Sequence, residues 1–244
     1  MIGGQGVAVV SRFAPSPTGR LHLGHALSAI RAHDLARAPS AGRFLLRIED
    51  IDEGRCRPDH VAAILDDLTW LGLEWDGLVF QSKRRALYAE ALARLQARGL
   101  VYPCFCTRAG IAASSAAPHG TAPVYPGTCR ALSPAERTAR AHEPHGWRLD
   151  MTAAVAITGP LAWHDATAGH ITADPAAQGD VVLARKDAGT SYHLAVTIDD
   201  AAQGVTDVVR GVDLFAATHI HRLLQALLGL PPPRYHHHRL LTDA

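Results

Sequence analysis

The chain has 244 residues, 48% of them hydrophobic and 19% charged, with a formal net charge of +1. That composition describes a folded globular protein large enough for one large or two smaller domains, and it excludes a disordered chain. No apolar run reaches the roughly 18 residues a membrane span needs, and residues 1–10 lack the basic segment and apolar core of a signal peptide, so a cytoplasmic protein with no membrane partner is expected. The near-neutral total neither announces nor forbids a nucleic-acid partner.

Val7 to Phe13 is a short apolar run, read as a buried strand. Leu23, Leu27 and Ile30 then recur at helical spacing. Phe44, Leu46 and Ile48 alternate with Leu45, Arg47 and Glu49, which predicts a second strand with Arg47 and Glu49 on one face. Pro58 opens a helix with Val61, Ile64, Leu65, Leu68 and Leu71 on one side and Gly72 as its stop. Ser82 is placed to cap a further helix running to Gly99. This order predicts βαβ units and a parallel sheet. From Gly110 to Pro126 small residues and prolines dominate, which reads as an insertion. Short strands are expected at Trp147–Met151 and Asp180–Ala184. The alternation of Leu194, Val196 and Ile198 predicts another, leading into Asp199-Asp200. A helix through Ile220, Leu224, Leu227 and Leu228 ends at Gly229, and 231–244 reads as a last strand. The triplet His236-His237-His238 has ordinary flanks and is read as native.

Two features carry chemistry on their own. His22 and His25 lie at i and i+3 where a helix begins, so both rings face one way beside unpaired N–H groups that favour an anion. Gly24 between them leaves the backbone bare, so that a ring or ribose can lie against it. The bland alternative is a pair of surface histidines. The cysteines are Cys56, Cys104, Cys106 and Cys129; three are clustered, which in a cytosolic chain suggests metal, and Cys56 reads as an ordinary thiol. Three thiolates suit zinc, and tetrahedral closure needs a fourth ligand, which His119 or His142 could supply.

The run Arg12-Phe13-Ala14-Pro15-Ser16-Pro17-Thr18-Gly19, continuing through His22-Leu23-Gly24-His25, resembles the glutamyl- and glutaminyl-tRNA synthetase group. His22-Leu23-Gly24-His25 is similar to the "HIGH" signature of class I aminoacyl-tRNA synthetases. Leu46 to Asp52, Asp67 to Asp76, Tyr102 to Cys106, Tyr192 to Asp200 and Gly204 to Gly211 follow in the family's order, so the resemblance spans essentially the whole chain. It implies an α/β fold: a Rossmann-type parallel sheet interrupted by a zinc-containing α+β subdomain. The catalytic domain is expected over 1–102 and 186–244, with the insertion over 103–185 and no anticodon-binding domain.

Within the group, the likeness is strongest to the short paralogues that transfer glutamate to queuosine in the anticodon loop of tRNA(Asp). Their zinc site of three cysteines and a tyrosine matches Cys104, Cys106, Tyr125 and Cys129. The resemblance carries ATP binding onto His22, Gly24 and His25, and catalysis onto the two histidines. It carries glutamate binding onto Arg12, Phe13, Ala14, Pro15, Ser16, Glu49, Tyr192 and Arg210. It implies ATP with Mg²⁺, L-glutamate and queuosine-bearing tRNA(Asp) as partners, one structural Zn²⁺ and a monomer. Without the resemblance, Arg47 and Glu49 read equally well as a structural ion pair and Tyr192 as core. The family's lysine-bearing "KMSKS" loop has no match, since Lys83 and Lys186 are the only lysines and sit elsewhere; the chain is expected to continue into that loop beyond Ala244. The competing readings are a piece of a synthetase charging tRNA(Glu) and a non-catalytic tRNA-binding paralogue.

Overall fold

The computed structural model describes residues 8–38, 41–107 and 124–241. The chain runs β1 (Val10–Phe13), α1 (Leu23–Arg37), β2 (Arg43–Ile48), α2 (Pro58–Trp70), β3 (Gly77–Phe80), α3 (Arg85–Ala97) and β4 (Val101–Cys104). It continues with α4 (Pro134–Ala139), β5 (Gly146–Leu149), α5 (Met151–Thr158), β6 (Ala162–Asp165), β7 (Gly169–Thr172) and β8 (Val182–Ala184). Helix α6 (Tyr192–Ala202), β9 (Asp207–Gly211), α7 (Phe215–Leu228) and β10 (Arg234–His238) close the order.

Seven strands form one sheet in the order β3-β2-β1-β9-β10-β6-β7, parallel except for β7, which returns antiparallel to β6. The order leaves β1 toward β2 on one side and toward β9 on the other. That switch opens a crevice beyond the carboxyl ends of β1 and β9, the place where open α/β sheets bind ligands. A second, antiparallel sheet, β4-β5-β8, stands beside the first. The hairpin β6–β7 lies in the sequence between β5 and β8, yet it extends the large sheet through the Tyr235–Asp165 pairing.

Helix α1 packs on the large sheet through Ala29, Ala32 and Ala36, all fully buried against Phe44, Leu46 and Ile48. The leucine stripe expected from Leu23 is therefore corrected. Leu23 is 78% exposed, because small side chains let the helix approach the strands and turn Leu23 outward. A second core joins α3, α5, α6 and α7 through Leu95, Ala154, Leu194 and Leu224.

Four further expectations change. Leu194, Val196 and Ile198 lie on α6, not on a strand: Ser191 caps the helix by accepting from Leu194 N. Leu194 through Thr197 are all buried, so burial around the helix erases the one-sided period a surface helix would show. Ser82 does not cap α3 but donates to Asp50 Oδ2 at 2.6 Å, and a short 3₁₀ turn over Gln81–Arg84 precedes the helix. The strand at Trp147 ends at Leu149, where Asp150 caps α5 by accepting from Ala153 N. The last strand is confined to Arg234–His238, and Leu240 and Leu241 are exposed beyond it. Val7 and His119 lie outside the described residues.

Candidate functional site

A cavity of about 560 Å³ opens at the switch point, and Arg12, His22, His25, Glu49, Tyr192 and Arg210 line it. The structure thus brings the predicted nucleotide and amino-acid residues to one place. Phe13, Ala14, Pro15 and Ser16 form its floor as the chain leaves β1, with Glu49 N donating to Pro15 O at 3.0 Å.

His22 is the N-cap of α1. Its Nδ1 accepts from Gly24 N at 3.1 Å, and His22 N donates to His25 Nδ1 at 3.3 Å, a reciprocal cap made by two imidazoles 3.8 Å apart. Because each Nδ1 accepts, each neutral ring carries its proton on Nε2. Burial and the neighbouring His22 ring push the His25 pKa down, which favours that neutral form. Two Nε2–H donors and a helix N-terminus therefore meet at one edge of the cavity. A Cβ at Gly24 would stand 3.0 Å from His22 Cε1, so the glycine makes room for the histidine ring, and it also lines the cavity.

Arg12 and Glu49, which line the cavity, belong to a network of buried charge. Asp200 Oδ1 accepts from Arg12 Nε at 3.0 Å and from Arg47 Nη1 at 2.8 Å. Arg47 is fully buried and lies 3.5 Å from Glu49 Oε1. Asp199 accepts from Gln81, Arg84 and Tyr88 at 2.6–2.8 Å. Burial pushes Glu49 up to about 7 against the pull of Arg47 and Arg12. Asp199 and Asp200 end the Tyr192–Asp200 motif without an expected role; two adjacent acids closing an apolar run were the available signal.

Arg210 stands apart. Its partners are His237 Nε2 (from Nε, 3.1 Å), His221 Nδ1 (Nη1, 3.2 Å), the Tyr192 hydroxyl (Nη1, 3.4 Å) and Thr218 Oγ1. Burial and Arg210 itself push His221 well below the usual imidazole range, so its ring is neutral. Arg12, Arg47 and Arg84 each contact a carboxylate. Among the described residues none pairs with Arg210, so this buried guanidinium faces the cavity with an unmatched charge suited to a ligand carboxylate.

The cysteine cluster lies where β4 ends. The sulfurs of Cys104, Cys106 and Cys129 all lie within 4.8 Å of one another. Cys106 and Cys129 are 3.5 Å apart, and the Tyr125 hydroxyl is 3.6 Å from Cys104 Sγ and 3.5 Å from Cys106 Sγ. A tetrahedral zinc about 2.3 Å from each sulfur sets those sulfurs about 3.8 Å apart, so the donor set fits the ion. Arg148 donates to Cys104 Sγ at 3.3 Å and lies over the Tyr125 ring, which places positive charge beside a sulfur-rich centre. Among the described residues no histidine joins the cluster, and His142 is exposed.

A nucleotide-type α/β sheet with a helix-capping histidine pair at its switch point defines the class. Residues 8–244 match the sequence profile of the family described as "tRNA synthetases class I (E and Q), catalytic domain", and the chain belongs to that family. It is 53% identical to a glutamyl-Q tRNA(Asp) synthetase of Rhodobacter capsulatus over 96% of this chain and 88% of that one. It is 47% identical to one of Symbiobacterium thermophilum over 94% and 74%. Among solved structures, it resembles a glutamate tRNA ligase from Elizabethkingia meningosepticum in complex with its amino acid (TM-score 0.83, 28% identity, 96% of this chain). A glutamate-tRNA synthetase from Elizabethkingia anophelis is equally similar (TM-score 0.85, 28% identity, 97% of this chain). The chain spans about half the length of those two structures.

Proposed function

We propose that the protein activates L-glutamate with ATP to glutamyl-adenylate and then transfers the glutamyl group to queuosine in the anticodon loop of tRNA(Asp). The observation that carries the reading is Arg210, a buried guanidinium without a carboxylate, in one cavity with Glu49 and the His22–His25 pair. Glutamate brings two carboxylates and one ammonium. Arg210 matches a carboxylate, and so does Arg12, whose Nη2 stays uncommitted among the described residues. Glu49 matches the ammonium, which would draw it into its ionised form.

In the first step an oxygen of the substrate's α-carboxylate attacks the α-phosphorus. A carboxylate–phosphorus bond forms, the bond to the bridging oxygen breaks, and pyrophosphate leaves with that electron pair. The nucleophile is already ionised, so no side chain need remove a proton. The Nε2–H donors of His22 and His25 lie where negative charge grows on the phosphates, and positioning with electrostatic stabilisation supplies the rate. Mg²⁺ bound with ATP would supply screening of the phosphate charge.

Cys104, Cys106, Cys129 and Tyr125 would hold a zinc whose role is structural, since four protein donors leave no open position. It would fix the end of β4 beside the large sheet. No helix of the described residues is long and apolar enough to cross a membrane. A cytoplasmic location and a monomeric state belong to the proposal.

Transfer of labelled glutamate tests the acceptor. The reading expects product on tRNA(Asp) that carries queuosine and none on the same tRNA without it. Charging of tRNA(Glu) instead would contradict it.

A further inference from the structure

The large sheet carries a chain of hydrogen bonds that begins outside the amino-acid pocket and ends on Arg210. Asp165, the last residue of β6, accepts from His237 Nδ1 at 2.8 Å and from His237 N at 3.1 Å. Its other oxygen accepts from Thr167 N and Ala168 N, both at 2.9 Å. The carboxylate is therefore held from four sides, and both Asp165 and His237 are buried. With its Nδ1 proton committed to Asp165, the ring turns a bare Nε2 toward Arg210 Nε, 3.1 Å away. Thr218 Oγ1 stands 3.2 Å from the same nitrogen and also receives Arg210 Nη2.

We infer that Asp165 and His237 are positioning residues for substrate recognition: Asp165 fixes the tautomer of His237, and His237 holds the Arg210 guanidinium in the plane that meets a substrate carboxylate. The inference rests on the functional reading of Arg210 given above. The chemistry follows from donor counting. A guanidinium has only N–H donors, so it is held only by acceptors. An imidazole with its proton on Nε2 would set two donors against each other; the Nδ1 tautomer sets an acceptor there. A neutral ring also leaves the arginine charge unspent, as an aspartate in the same place would not. Burial and Arg210 lower the His237 pKa to about 4 against the opposing pull of Asp165, consistent with a neutral ring. A carboxylate that fixes an imidazole tautomer is familiar from hydrolytic triads; here the tautomer serves an arginine. The hairpin that carries Asp165 thereby reaches the pocket from the far side of β10, although it falls within the segment inserted between the two halves of the sheet's chain.

Two measurements on the whole protein test this. Nitrogen-15 NMR of the His237 ring at pH 7 should show the neutral tautomer protonated on Nδ1; a ring protonated on Nε2, or on both nitrogens, overturns the inference. Calorimetric glutamate binding supplies the second readout. Asp165→Asn and His237→Phe should each weaken binding about tenfold, the scale of one lost charge-assisted contact. His237→Gln, which restores an acceptor facing Arg210, should stay within about threefold of wild type on the same scale, and ATP affinity should not move in any of them. Wild-type glutamate affinity in Asp165→Asn and His237→Phe overturns the inference, and so does a parallel loss of ATP affinity. If His237→Phe does not fold, Asp165→Asn and the NMR tautomer decide. A wild-type protein that binds no glutamate contradicts the functional reading instead, and the tautomer measurement still judges the positioning chain.

Discussion

Asp200 Oδ1 is shared by two guanidinium groups, Arg12 at 3.0 Å from β1 and Arg47 at 2.8 Å from β2. One buried oxygen on α6 thereby ties together two strands and a helix that are distant in sequence. It also neutralises Arg12 while leaving part of its fork turned toward the cavity. Although burial opposes ionisation, Arg12 and Arg47 together hold the Asp200 carboxyl below its ordinary range.

Asp200→Asn should therefore be costly. Removing one partner of a buried ion network leaves charge uncompensated, at about 3–5 kcal/mol. Chemical denaturation should show a loss of that order, and glutamate binding should weaken with it. A loss below about 1 kcal/mol, the scale of a surface ion pair, would show that the network is solvated.

Glu49 predicts a pH dependence. Its pKa in the folded protein is raised by burial to about 7, above the roughly 4.3 of a free glutamate. The folded form keeps the proton longer than the unfolded form, so this group's stabilisation is present in full below the unfolded value. It is lost as pH rises through about 7. Recognition of the substrate ammonium needs the ionised carboxylate, so glutamate binding should tighten as pH rises from 5.5 to 8 and level off above that. Glu49→Gln should bind weakly with a flat profile; calorimetry across that range reads both.

The histidine pair should matter to the chemical step more than to the amino acid. His22→Ala combined with His25→Ala should lower adenylate formation about 10²-fold or more, the scale of lost oxyanion donors, with glutamate affinity nearly unchanged. The lost helix cap should cost about 1 kcal/mol of stability. Gly24→Ala offers a finer probe, since its Cβ meets the His22 ring at 3.0 Å; it should reduce rate without removing either imidazole.

The cysteine cluster predicts about one zinc per chain in protein purified without chelator, measured by plasma emission spectrometry. Cys129→Ser should abolish the metal and lower the melting temperature. Tyr125→Phe should bind zinc more weakly while keeping the three sulfurs, and unaltered affinity in that variant would remove the phenol from the ligand set.

Much of this was readable in the sequence where local rules act alone. The Pro58 start and Gly72 stop of α2, and the Gly229 end of α7, follow from backbone chemistry. The clustering of Cys104, Cys106 and Cys129 followed from spacing and resemblance. What stayed hidden depends on tertiary context. Helix α6 is buried around its girth, so its pattern imitates a strand. Ala29, Ala32 and Ala36 carry no hydrophobic signal strong enough to mark the packed face of α1. Asp165 and His237 are 72 residues apart, and only the pairing of β6 with β10 brings them together. Asp200 needed the parallel alignment of β1 and β2 to receive two arginines.

The most direct test of the central claim is ATP–pyrophosphate exchange by the protein with glutamate and without tRNA. The account predicts exchange that requires glutamate, is not supported by glutamine or aspartate, and falls steeply in the His22→Ala, His25→Ala double variant. Absence of glutamate-dependent exchange by a folded, zinc-loaded protein would contradict it.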